Sequence, residues 1–474
     1  MTNIFKTTIL TLIGCALYTA TTSADPKTPN QEPNQPDYAK PITPEKLKED
    51  LDFLFKTIKE VHPNIYAYTS KEEFKPIRAE LYSRIDRPMN CREFYKLVAP
   101  MVSEIKNGHT YMWPFSFGGK DKVFPIALHW DRENAILAAD YGANKLPLGG
   151  TILAFNGEHA SKIIQKFGRY HAAEGKNANL RMVEHHAFLW FWLKLEYGQT
   201  NPLVLKIKTL DAKIKDYLVK PKTLQEIYKA NPDLNKRRAA FGSYRYIPEY
   251  ETGLLAISCF TSDAEFRKFL EDTFGKIKKD KVPSLIVDIR KNPGGNSVLG
   301  DVLLDYLTDK PFRQFEGGEV KISRQAGNLR QFQREFPDRK LEIGCLVPIE
   351  VSFEQPKYNP LRFQGRKFVL IDGRVYSSAN SFASAIKCFD IATLIGEETG
   401  GTTTCYGDCL HLELPNSGLK FDVAHKYFVE AGGKPDGRGV LPDYEVEQEP
   451  EDTAKGVDTV LQFTLNLIKD SKSN

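Results

Sequence analysis

KFVLIDGRVYSSANSFASAI, residues 367–386, passes from an apolar strand through a glycine turn into a helix and leaves a serine at the joint. Phe368-Val369-Leu370-Ile371 is a continuous apolar run of strand length, the pattern of a strand covered on both faces in an α/β core. Ala379, Phe382, Ala383 and Ile386 then recur at helical spacing. Ser378, just before that helix, sits among unpaired backbone N–H groups at the positive end of the helix dipole, where an alkoxide and an oxyanion are both stabilised. A serine there is also an ordinary N-cap, so the stretch alone leaves both readings open.

Residues 284–303, SLIVDIRKNPGGNSVLGDVL, repeat the design of apolar strand, glycine turn and amphipathic helix. Gly294 and Gly295 let backbone approach a ligand closely and aim N–H groups at developing negative charge. Together the two stretches resemble the tail-specific, or carboxyl-terminal processing, serine peptidases. Those carry a D-x-R-x-N-x-G-G segment, here Asp288, Arg290, Asn292, Gly294 and Gly295, and a later S-A-x-x segment, here Ser378-Ala379-Asn380-Ser381. Downstream, residues 395–400 look like the family's G-E-x-T-G loop, and Gly439-Val440-Leu441-Pro442-Asp443 like its closing G-V-x-P-D. The resemblance implies a crotonase-like catalytic domain over about 240–470 with Ser378 as nucleophile. It also implies an oxyanion hole drawn from the N–H groups of Ala379 and of Gly294 or Gly295.

The family's usual lysine base follows the G-E-x-T-G loop. Here residues 400–407 read GGTTTCYG, without a lysine. Another group must take the proton. Asn107-Gly108-His109-Thr110 resembles the D-x-H-T position of a histidine-bearing branch to which tricorn protease is related, which makes His109 the candidate base. A histidine after a helix can equally be a surface residue or a capping cation. In tricorn-like enzymes an acid lies just before G-V-x-P-D, which points to Asp436 as the group orienting the imidazole, with Glu398 as the rival.

The remaining chain is read from its own residues. At 474 residues, 27% charged and 41% hydrophobic, it is a globular protein of several domains. A formal net charge of +4 gives no reason to expect a nucleic-acid partner. Residues 1–14 hold Lys6 and a short apolar run too short to span a bilayer, the pattern of an export signal. Leu12-Ile13-Gly14-Cys15 resembles the bacterial lipobox, implying lipidation of Cys15 and membrane attachment through that anchor alone; soluble secretion after cleavage near Ser23-Ala24 is the alternative. Residues 15–42 are rich in Pro, Thr, Asn and Gln and read as a tether.

From 43 to 115 the pattern is helical. Pro44 opens a first helix, Ser70 with Glu73 and Asn90 with Glu93 read as capping boxes, and the third helix is expected to end at Gly108. Over 120–222 short strands follow, with Asn156-Gly157 as a tight turn. The segment from Gly150 to Gly157 and the helix behind it look like a PDZ domain, which adds a peptide strand to a sheet edge; a plain β spacer is the other reading. The aromatic stretch Met182 to Leu195 is expected to be a buried helix.

Seven cysteines leave six once Cys15 is set aside. Their pairing is open, with a local disulfide between Cys405 and Cys409 one expectation. No metal site or cofactor is expected. Two functions remain in competition: a serine endopeptidase acting on extracytoplasmic peptides or proteins, and a catalytically silent peptide-binding lipoprotein of the same fold.

Overall fold

The computed structural model describes residues 38–115, 121–131, 134–170, 173–175, 186–232, 234 and 241–470. The export signal, Cys15, most of the tether and His185 lie outside these residues.

The expected helices form where the caps place them. α1 (Pro44–Val61) buries Leu47, Leu51, Leu54 and Ile58, the stripe read from spacing. Both capping boxes close, Ser70 with Glu73 ahead of α2 (Lys71–Arg84) and Asn90 with Glu93 ahead of α3 (Cys91–Ser103). The end of α3 differs from expectation. The helix stops at Ser103, and the left-handed residue that follows is Lys106, at φ 55°, rather than Gly108. The reason is tertiary: Gly108 N–H donates to the Glu174 carboxylate at 3.2 Å, and Gly175 N–H donates to the Lys106 carbonyl.

After β1 (Tyr111–Met112), an antiparallel sheet is built from β2 (Ile126–Asp131), β3 (Asn134–Asp140), β4 (Thr151–Phe155), β5 (Leu203–Lys208) and β6 (Ile214–Val219), in that order. α4 (Ala160–Gly168) buries Ile163, Ile164 and Phe167. From His186 onward the aromatic stretch forms α5 (His186–Tyr197), where Leu189 to Leu193 are all buried and the Trp190 indole donates to the Ile126 carbonyl at 2.8 Å, while Met182 to His185 lie outside the described residues. This sheet, α4, α5 and the three N-terminal helices share one apolar core.

The second sheet runs β7 (Gly242–Ile247), β8 (Thr252–Ile257), β9 (Ser284–Asp288), β12 (Arg366–Ile371), β13 (Thr393–Gly396) and β16 (Tyr444–Glu445). Every pair is parallel except β7 with β8. One face carries Leu285, Val287, Val369 and Ile371 against α6 (Asp263–Lys279), α7 (Ser297–Leu307) and α8 (Ser378–Cys388); the other carries Ile286, Phe368, Leu370 and Ile395 against α9 (Thr459–Asp470). Coverage on both faces is why these strands read as unbroken apolar runs.

The two cores are bridged by a third sheet. β10 (Phe315–Lys321) lies between β11 (Leu346–Ile349) and β15 (Lys420–Glu430), and β15 also pairs with β1 and with β14 (Thr404–Glu413). The outer half of the β14–β15 hairpin delivers Leu414, Leu419, Phe421 and Val423 into the N-terminal core. Its tip is held by buried Asp50, whose carboxylate accepts from Asn416 and Ser417 N–H at 2.8 Å each. The base of the hairpin lies beside α8, so this one element couples the helical front end to the serine.

The six cysteines among the described residues are free thiols, so the expected Cys405–Cys409 bond is not made. Both lie on β14, where four residues of extended chain span roughly 13 Å. A disulfide needs α-carbons within about 7 Å.

Candidate active site

The Asp288–Gly295 segment is first a scaffold. Arg290 forks between Asp288 and Asp458, at 2.7 Å to each, and so ties the end of β9 to the start of α9. Asn292 Oδ1 accepts from Gly294 N–H at 2.9 Å while its amide donates to the Ile257 carbonyl at 3.2 Å. These bonds turn the two glycines back over α8. Gly294, at φ 107°, lies so close to the serine loop that a Cβ there would stand 2.8 Å from Ser378 N.

Ser378 is the first residue of α8 and is buried, preceded by Ser377 at a positive φ of 49°. Such a strained turn into a helix exposes the first side chain at the helix N-terminus. Its hydroxyl donates to the Gly295 carbonyl at 2.7 Å. Of the expected oxyanion donors, Gly294 N–H is taken by Asn292 and Ala379 N–H by the Tyr376 carbonyl at 3.0 Å. Gly295 N–H makes no hydrogen bond among the described residues.

His109 reaches the same place from the front end. Its ring stacks on Tyr376 with centroids 4.7 Å apart, and Nδ1 lies 3.1 Å from the Tyr376 hydroxyl. Nε2 is shielded from solvent and has no hydrogen-bond partner. Burial lowers the imidazole to about 4, partly offset by the Tyr406 carbonyl and the charge of Asp408. The ring is therefore neutral at pH 7, with Nδ1 held by the Tyr376 hydroxyl and Nε2 buried outside hydrogen-bond geometry. Tyr376 brings His109 to within two residues of the serine, but no hydrogen bond joins His109 to Ser378 in this conformation.

The two candidate acids lie in the neighbouring turn. Asp436 is exposed and accepts from Arg438 N–H at 2.9 Å. Glu398 takes the Arg438 guanidinium through both oxygens at 2.9 Å and Gly439 N–H at 2.7 Å. Asp436 thus caps a turn, and Glu398 anchors it.

Other carboxylates stand closer to the machinery. Glu430, at the end of β15, accepts from the Asn380 amide at 2.7 Å and the Ser381 hydroxyl at 3.0 Å, and so fixes the first turn of α8 from below. Burial pushes it up to about 8. Glu174 lies behind the His109 turn, raised by burial to about 7. His62, buried against Tyr406, is lowered to about 3 by burial. None of these carried a sequence signal, since each acts on a motif more than 45 residues away in the chain.

These four groups set a pH dependence of stability. Glu174 and Glu430 are raised above the unfolded value of 4.5, so their contribution is full below that pH and is lost as pH rises through about 7 and 8. His62 and His109 are lowered from 6.5, so their contribution is full above 6.5 and is lost as pH falls through about 4 and 3. Between 4.5 and 6.5 the two pairs oppose; above 6.5 the two carboxyls act, joined by Asp301, which burial raises to about 7. Unfolding in urea should show stability falling by about 3 kcal/mol from pH 6.5 to 8, at roughly 1.4 kcal/mol per pH unit per group. Glu430→Gln should remove the largest share of that decline; a decline of unchanged size would refute the assignment.

Comparison with known proteins follows the same outline. Residues 251–446 match the model for peptidase family S41. Over those residues the chain is similar to peptidase family S41. It is also similar to a carboxy-terminal-processing protease, being 25% identical over 224 residues to the "Carboxy-terminal-processing protease" of Bartonella bacilliformis. That alignment covers 46% of this chain and 44% of the relative, so the chain matches less than half the length of that curated relative. Among solved structures, mature CPAF complexed with lactacystin superposes with a TM-score of 0.65 at 14% identity, covering 90% of this chain and 98% of that one. Mature CPAF alone gives 0.63 at 13% identity, covering 89% and 96%. These likenesses establish a shared mixed α/β fold across nearly the whole chain.

Proposed function

We propose that the protein is a serine endopeptidase. One observation carries the reading: Ser378 opens a buried helix against the Gly294–Gly295 backbone while His109, shielded and neutral, stacks on Tyr376 two residues before it. In the reaction the Ser378 oxygen attacks the scissile carbonyl and passes its proton to His109 Nε2. The tetrahedral intermediate collapses, the amine leaves with that proton, and water then cleaves the acyl ester by the same route. For Nε2 to act as the acceptor, Nδ1 must carry the ring proton and donate it to the Tyr376 oxygen. Tyr376 is then the group that orients the base, in place of Asp436 or Glu398. Gly295 N–H is the open donor for the oxyanion.

Two rearrangements separate the observed conformation from a competent one. The Ser378 hydroxyl must leave the Gly295 carbonyl, and it must turn toward Nε2. Substrate binding supplies both if the scissile carbonyl displaces the serine hydroxyl from its present bond.

Around this site, 240–470 is a crotonase-like catalytic domain, 43–115 a helical domain, and 120–222 a PDZ-like module that presents peptide ends. Cys15 carries the lipid that holds the protein outside the cytoplasm, with 15–42 as the tether. Among the described residues no helix is long and apolar enough to cross a membrane.

The purified protein should cut unstructured polypeptides into fragments, read by mass spectrometry. Peptide binding with no new termini would instead favour the silent binding lipoprotein.

A further inference from the structure

The turn that carries His109 is held by a carboxylate from a distant part of the chain. Glu174 Oε2 accepts from the Asn107 amide at 2.8 Å and from Gly108 N–H at 3.2 Å; Oε1 accepts from Tyr406 N–H at 3.1 Å and from the Tyr68 hydroxyl at 3.3 Å. The Asn107 amide donates in addition to the Tyr406 carbonyl at 3.0 Å. The outward-facing N–H and C=O of Tyr406 are thus satisfied by Glu174 and Asn107, as a neighbouring strand would satisfy them, and β14 is bolted at that point to the His109 turn. Glu174 and Asn107 are essentially fully buried.

We propose that Glu174 is a positioning residue for the base: its carboxylate, through Asn107 and Gly108, fixes where His109 presents Nε2. The inference rests on the peptidase reading above. It fits the amide at 107, whose two N–H groups donate to Glu174 and to the Tyr406 carbonyl together; an aspartate there would place a like charge against Glu174.

Four donors around one carboxylate favour the ionised form against the burial that raises the carboxyl. A proton on either oxygen removes an acceptor and turns one buried donor out of its bond. The groups facing Glu174 are Tyr68 from the loop after α1, Asn107 and Gly108 from the turn after α3, Tyr376 from the serine loop, and Cys405 and Tyr406 from β14. None of these is cationic, so burial dominates and holds the carboxyl near 7, where it switches close to neutral pH. Below that value the His109 turn loosens while His109 itself, titrating near 4, stays neutral.

The test follows kcat, KM and the rate of Ser378 labelling by a fluorophosphonate between pH 5 and 9. In the parent protein kcat and labelling should fall together as pH drops through about 7, with KM little changed. Glu174→Gln places an NH2 against two donors, so kcat should drop about tenfold or more and lose the limb near 7. Asn107→Asp should move that limb upward by about one unit, because a like charge raises a carboxyl. Retention of the parent limb in both variants, with thermal unfolding showing that they are folded, overturns the inference and leaves the peptidase reading intact. If Glu174→Gln fails to fold, an Asn107→Asp limb that does not move overturns it alone. Absence of labelling in the parent protein removes the peptidase reading and this inference with it.

Discussion

Replacing the Ser378 hydroxyl in Ser378→Ala should abolish peptide cleavage, a fall of at least about a thousandfold in kcat, and should abolish fluorophosphonate labelling. The variant should stay folded. The hydroxyl makes one hydrogen bond, to the Gly295 carbonyl, and a bond of that kind contributes about 1 kcal/mol. Around it α8 is held independently by Asn380 and Ser381 on Glu430 and by the apolar residues Ala379, Phe382, Ala383 and Ile386. Loss of activity with an unchanged unfolding midpoint therefore reports chemistry. Labelling that survives the substitution would move the nucleophile elsewhere.

His109→Ala carries the second large effect. With no lysine in the loop after Gly400, the imidazole is the neutral base stacked on the serine loop, and its loss should cost about ten-thousand-fold in kcat/KM with KM nearly unchanged. The Tyr376 hydroxyl loses its partner at the same time, so a stability cost of about 1–3 kcal/mol accompanies the change. Tyr376→Phe separates the two: it keeps the ring that stacks on His109 but removes the oxygen that holds Nδ1, and the expected loss is smaller, near tenfold. A His109→Ala protein that cleaves and labels at the parent rate would leave Ser378 without this base and refute the proposed pairing.

The geometry also shows why so much of the fold could be read in advance and so little of the machinery around the base. Phe368 to Ile371 and Leu285 to Ile289 announce buried parallel strands because both sheet faces are covered. The glycines at 294 and 295 announce close backbone approach because only they fit beneath Ser377 and Phe260, where a Cβ would meet atoms at 2.8 and 2.1 Å. Asp436 was legible as a carboxylate at the right distance along the chain, yet its side chain closes a turn with Arg438. Tyr376 sat in plain view two residues before Ser378, but a tyrosine there has no pattern until a histidine is stacked on it. Glu174, Glu430 and His62 left no mark, because their partners come from other elements.

Local chemistry is what the chain alone determined: caps, periodicities, the two strand–glycine–helix units and the serine at the joint follow from interactions among residues a few positions apart. Tertiary structure decided the rest. Whether His109 meets Ser378's loop, which carboxylate holds it, and which amide remains open for an oxyanion all depend on the β14–β15 hairpin reaching back to pack on the N-terminal helices. That contact gains its energy from burying Leu414, Leu419, Phe421 and Val423 in a core built some 300 residues earlier, and no local pattern encodes which surface an apolar hairpin will cover.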